Sequence, residues 1–121
     1  MLEIATQVGV AMEIGDRVKV VVSDPWDFVS PDGDNAVAGR LIRVLRTRLG
    51  EALLIEASKP FVVREREVSY FLALHRHMGE STWDCVTVLE VEPQELRELL
   101  SGGEVPTTGL PTIIVGSVSG V

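Results

Sequence analysis

The sequence predicts a small, mainly β protein: five to six antiparallel strands in a barrel or half-open sheet, with one short C-terminal helix. Three observations carry that expectation. Alternate residues divide into two faces over residues 17–22, 68–77 and 84–92, the period of two of a strand, most plainly at Val18, Val20 and Val22. Gly, Pro, Asp and Asn punctuate the chain at short intervals, as they do where strands are joined by tight turns. Only residues 93–100 depart from this pattern, with leucines at helical spacing between Pro93 and the pair Gly102-Gly103.

Taken in order, residues 1–12 alternate poorly and are expected to form an edge strand or a loose arm. Gly15-Asp16 is a turn signal, and the run that follows places Val18, Val20 and Val22 on one face and Arg17, Lys19 and Val21 on the other. Pro25 ends the run by removing a ladder donor and restricting Asp24 before it. The resulting Asp24-Pro25-Trp26-Asp27 loop puts a large aromatic among carboxylates, with Phe28 beside it. Residues 29–36 have loop composition around Pro31-Asp32-Gly33.

Residues 36–49 read two ways. A helix would align Val37, Leu41, Val44 and Leu45, capped by Asp34 and stopped by Gly50; a strand would pair residues 39–44 with 52–56 as a hairpin. The hairpin is preferred, because mid-helix Gly39 costs about 1 kcal/mol against alanine. Lys59-Pro60 is expected to break the second arm, and residues 64–67 to form a charged turn. The next strand carries Tyr70, Leu72 and Leu74 on one face and Phe71, Ala73 and His75 on the other; the one after it opposes Cys85, Thr87, Leu89 and Val91 to Val86, Val88 and Glu90. In the helix, Pro93 suits the first position, the acidic first turn complements the dipole, and Leu96, Leu99 and Leu100 form the apolar stripe. Residues 104–121 are expected to be a closing strand or a tail.

The opening Gly-Asp-Arg-Val-Lys-Val, then Gly-Arg-Leu-Ile and Ala-Leu-Leu-Ile, resembles the strand order of Src-homology-3-like small barrels over about residues 13–91. The resemblance is one of architecture and implies no activity.

A chain of 121 residues is expected to form a single domain, 1–121, with its β core at 13–91. Aromatic residues make up 5% of it, so packing falls to Val, Leu and Ile. Cys85 is the sole cysteine, which excludes an intrachain disulfide and any cysteine-based zinc motif. A formal net charge of −7 argues against a nucleic-acid surface, whose phosphates require Lys and Arg, and favours a basic protein partner. No apolar run approaches membrane-spanning length and residues 1–12 do not resemble a secretory leader, so the cytoplasm is the expected location.

His75-Arg76-His77 places two imidazoles on one side of a strand, but two histidines without further defined ligands assign no metal. Asp24, Asp27, Asp32 and Asp34 lack the spacing of a calcium loop and suit turns and caps. No phosphate loop or nucleophile elbow occurs, and a strand-borne Cys85 is expected to be a buried thiol; no cofactor and no catalytic residue is assigned. The expected function is a non-enzymatic interaction module, an acidic adaptor or an immunity- or antitoxin-like protein, which meets a basic protein through Asp24, Trp26, Asp27, His75, Arg76 and His77. The alternative is a small-ligand- or metal-binding barrel with its site near Trp26 and His75/His77. Self-association through an edge strand is also compatible with a half-open sheet.

Overall fold

A computed structural model describes residues 13–23, 28–30, 34–47, 50–75, 83–102 and 112–120. Its elements are β1 (Arg17–Val22), β2 (Phe28–Val29), β3 (Ala36–Thr47), β4 (Gly50–Val63), β5 (Arg66–His75), β6 (Val86–Glu90), α1 (Pro93–Leu100) and β7 (Thr112–Gly120). Six strands close on themselves in the order β1, β3, β4, β5, β6, β7 and back to β1, every pairing antiparallel. The sheet is therefore a barrel and not half-open. β2 stands outside it, paired to the end of β4 through Phe28–Val63 and Val29–Val62. Closure hides the edges of the other strands and leaves β2 as the open edge among the described residues.

The alternating valines of β1 explain the interior. Val18, Val20 and Val22 are buried while Arg17, Lys19 and Val21 face outward. They pack with Leu41, Ile55, Phe61, Phe71 and Val88 from the surrounding strands into one apolar cluster. A second cluster lies outside the barrel wall, where Leu54, Leu72, Leu89 and Val91 meet Leu99 of α1. These two clusters account for the nearly unbroken apolar runs of β4 and β5. Their residues alternate between barrel interior and helix, so both faces are dry.

Residues 36–47 form β3 and pair antiparallel with β4, so the hairpin holds. Its charges are matched in register, with Arg40 opposite Glu56 and Arg46 opposite Glu51. Gly39 proves to be a steric requirement and not a weakness: a Cβ there would lie 2.6 Å from the Glu56 carbonyl oxygen. The register slips between Leu41 and Arg43; Leu41 keeps the inward phase of Val37, while Ile42 and Leu45, at an odd spacing, both pack toward the helix side. Arg43 then reaches α1, donating from Nη2 to the Leu100 carbonyl at 3.1 Å. A cation at a helix C-terminus satisfies a free carbonyl and complements the dipole.

Several boundaries differ from the expectation. Lys59-Pro60 does not break β4; the strand passes through it with a register shift between Glu56 and Phe61, where a missing donor is tolerated. Only Arg64 and Glu65 form the following turn, and Arg66 already belongs to β5. Phe28 lies in β2 and not in a loop. Leu100 is half-exposed, so the buried edge of α1 consists of Leu99 with Leu96 beside it. The stretch 112–120 is the strand that closes the barrel.

At the start of β3, the Asp34 carboxylate accepts from the Ser30 hydroxyl at 2.9 Å and from the Ala36 N–H at 3.3 Å. These two bonds hold the Asp34 carboxyl below its usual range, the Ser30 hydroxyl contributing most. A depressed folded-state pKa contributes stability above the ordinary carboxylate pKa and loses it as pH falls through the folded value. Asp34→Asn is expected to be slightly less stable than the native chain at neutral pH, the difference shrinking below about pH 4. Thermal melts across pH 3–7 check this, and a gap that does not narrow in acid would refute it.

Candidate partner-binding surface at the β4–β5 tip

β4 and β5 are joined by a two-residue turn in which Arg64 and Glu65 both have positive φ, 51° and 67°. Asn-Gly is the usual choice for such a turn, because long L side chains are disfavoured there. Here two charged residues take the strain, at the point where the hairpin passes beyond the closed part of the wall. The tip has a different surface on each flank.

On the β2 flank the surface is apolar. Phe28 packs on Phe61 with centroids 5.7 Å apart, and Phe61 meets Phe71 edge-on at 5.6 Å, so the ledge is tied to the core by three rings. Val29, next along β2, is 62% exposed. An open groove of about 360 Å³ runs past Phe28, Val29, Val62, Arg64 and Glu65.

On the β6 flank the surface is charged. Pairing between β5 and β6 ends at Phe71–Glu90, with a final bond from the Val91 N–H to the Tyr70 carbonyl at 3.0 Å. Beyond it the strands separate around a cleft of about 400 Å³ lined by Arg66, Glu67, Ser69, Glu90, Glu92 and their neighbours. Arg66 Nη2 lies 2.7 Å from the Glu90 carboxylate and 3.4 Å from that of Glu92. Glu92 also precedes α1, where the Glu95 carboxylate accepts from its backbone N–H at 2.9 Å.

The expected contact residues are divided by this structure. Asp24, Trp26 and Asp27 lie outside the described residues, as do Arg76 and His77. The described residues on either side of 24–27 are firmly held: Ser23 donates from its N–H to the Val115 carbonyl at 2.8 Å, and Phe28 begins β2. His75 is not on the outer surface. The alternation that places Phe71 and Ala73 inside also turns His75 inward, where it is buried and stacks on Trp83 at 3.8 Å and 24°. Its Nδ1 has no hydrogen-bond partner among the described residues.

Among the described residues, no three His, Cys, Asp or Glu side chains are grouped to hold a metal, and no helix is long and apolar enough to cross a membrane. Cys85 is half-buried just ahead of β6.

Val29, Arg66 and Glu92 carried no sequence motif. Glu90 did carry a signal, since it continues the inward register of Val86 and Val88 and so marks a carboxylate facing the interior.

No family model matches the chain, and neither the curated proteins nor the solved structures include a significant match to it.

Proposed function

We propose that the protein is a non-enzymatic interaction module that masks a basic surface of another protein. It meets that partner along the β2 ledge and through Asp24, Trp26 and Asp27, which lead into the ledge in sequence. The observation that carries this reading is Val29, a large aliphatic side chain 62% exposed on a strand whose outer edge is open among the described residues. An exposed apolar residue on such an edge, beside an aromatic-backed groove, is the composition of a contact centre with a polar rim. The net charge of −7 supports a basic partner, by steering more than by affinity.

The competing reading, a small ligand or metal near Trp26 and His75/His77, draws less support because Trp83 stacks over the inward-facing His75.

The test compares pull-downs from native lysate, analysed by mass spectrometry, for the native chain, Val29→Asp and Trp26→Ala. Burying a carboxylate at the contact is expected to reduce recovery of the specific partner about tenfold. Equal recovery by all three forms would remove the ledge and Trp26 from the interface.

A further inference from the structure

Glu90 is an anomaly of the interior. It continues the inward register of β6 and is itself only 6% exposed. A carboxylate in such a place loses hydration, and an opposite charge repays the loss only when donors also satisfy its oxygens. Arg66 supplies the charge, with Nη2 2.7 Å from Oε1. It does not supply the donor: the Nη2 hydrogen bond is directed to Glu92 Oε1 at 3.4 Å, and the fully buried Oε1 of Glu90 accepts none from the described residues. A close approach with the N–H aimed elsewhere leaves an oxygen without its bond. Arg66 is also the less fixed partner, its side chain being 52% exposed against 7% for Glu90. In this cleft one guanidinium meets the carboxylates of Glu90 and Glu92, and Glu67 adds a further acidic residue to the lining.

We infer that this cleft receives a guanidinium presented by a basic protein segment, with Glu90 as its anchor and Arg66 moving onto Glu92 to admit it. A planar guanidinium offers two parallel donors that match a carboxylate, which an ammonium does not. Glu92 already accepts from Arg66, so the displaced side chain keeps a partner and the exchange leaves no cation stranded. The source of the guanidinium rests on the reading of a basic protein partner given above; the chemistry of the cleft does not.

The ¹⁵N-labelled full chain is titrated with Nα-acetylargininamide, with its neutral citrulline counterpart and with spermidine, and amide shifts are followed by NMR. The arginine probe is expected to produce saturable shifts at Ser69, Val91 and Gln94, and the citrulline probe none. Glu90→Gln is expected to weaken the arginine probe at least about tenfold, and Arg66→Gln, which removes the internal competitor, to tighten it about threefold or more.

Absence of saturation, equal response to citrulline, or an unchanged affinity in Glu90→Gln would overturn the inference. Spermidine binding more tightly than the arginine probe would overturn the assignment to a protein side chain. Should Glu90→Gln fail to fold, Arg66→Gln decides, since equal or weaker binding contradicts a competing guanidinium. Val29→Asp is expected to bind the probe as the native chain does, so loss of the partner there and loss of the probe in Glu90→Gln report on different surfaces.

Discussion

Alanine at position 116 is expected to destabilise the barrel by about 3 kcal/mol, the upper end of what overpacking costs. Gly116 sits in β7 opposite Val22 on one side and Val86 on the other, where the last strand is fitted between β1 and β6. A Cβ built there falls 2.3 Å from the Val21 carbonyl oxygen and 3.1 Å from its carbon. The obstacle is backbone of the neighbouring strand, so no rotamer change relieves it; β1 or β7 must shift, at the expense of ladder hydrogen bonds. Gly39→Ala meets a carbonyl oxygen at 2.6 Å and should follow in the same direction with a smaller loss. Urea denaturation of the purified variants gives the comparison. A loss below about 0.5 kcal/mol for Gly116→Ala would mean that closure is looser than this seam implies.

Phe61→Ala is the second large effect, about 4 kcal/mol from lost transfer energy and the cavity left behind. The ring is fully buried between Phe28 and Phe71, at 5.7 and 5.6 Å, and it follows the irregular Lys59-Pro60 stretch of β4. Its removal acts on two levels. The core loses a ring with its edge-on partner, and β2 loses the side chain that Phe28 rests on. Partner capture is therefore expected to fall in Phe61→Ala even at a temperature where the variant is folded by circular dichroism. Val29→Asp should lose capture with little change in stability, because Val29 is already in water. If Phe61→Ala lost stability but held its partner at native strength, the ledge would be independent of the core beneath it.

Much of this architecture was legible in the residues because period-two patterning is a local property. The inward set Val18, Val20 and Val22 and the two faces of β5 follow from alternation alone. The hairpin of β3 and β4 was readable from what Gly39 would cost in a helix, although the close carbonyl that requires glycine there is a tertiary fact. Pro60 misled because a proline signals a break when only its own strand is considered; whether a partner demands the missing donor depends on the pairing.

Closure was not legible. Whether a run of strands ends half-open or shut is decided by β7, whose sequence suits a closing strand or a tail equally well. The surface at the β4–β5 tip was hidden for the same reason. Val29, Arg66 and Glu92 come from separate segments, and only the completed barrel makes them neighbours of one turn. Of the residues singled out beforehand, His75 was placed on its face correctly and given the wrong surroundings, since nothing in the alternation announces that Trp83 covers it.

The way β7 seals the seam also bears on when the chain acquires its shape. β1 precedes the other barrel strands in sequence, yet one of its two edges has no mate until β7 has been synthesised. A nascent chain on the ribosome carries β1 with that edge unpaired until β7 emerges, its backbone N–H and C=O groups available to any chance neighbour. Long-range closure of this kind is slow and exposed to aggregation, so the interval between synthesis of β1 and release of β7 is when the protein most needs a chaperone.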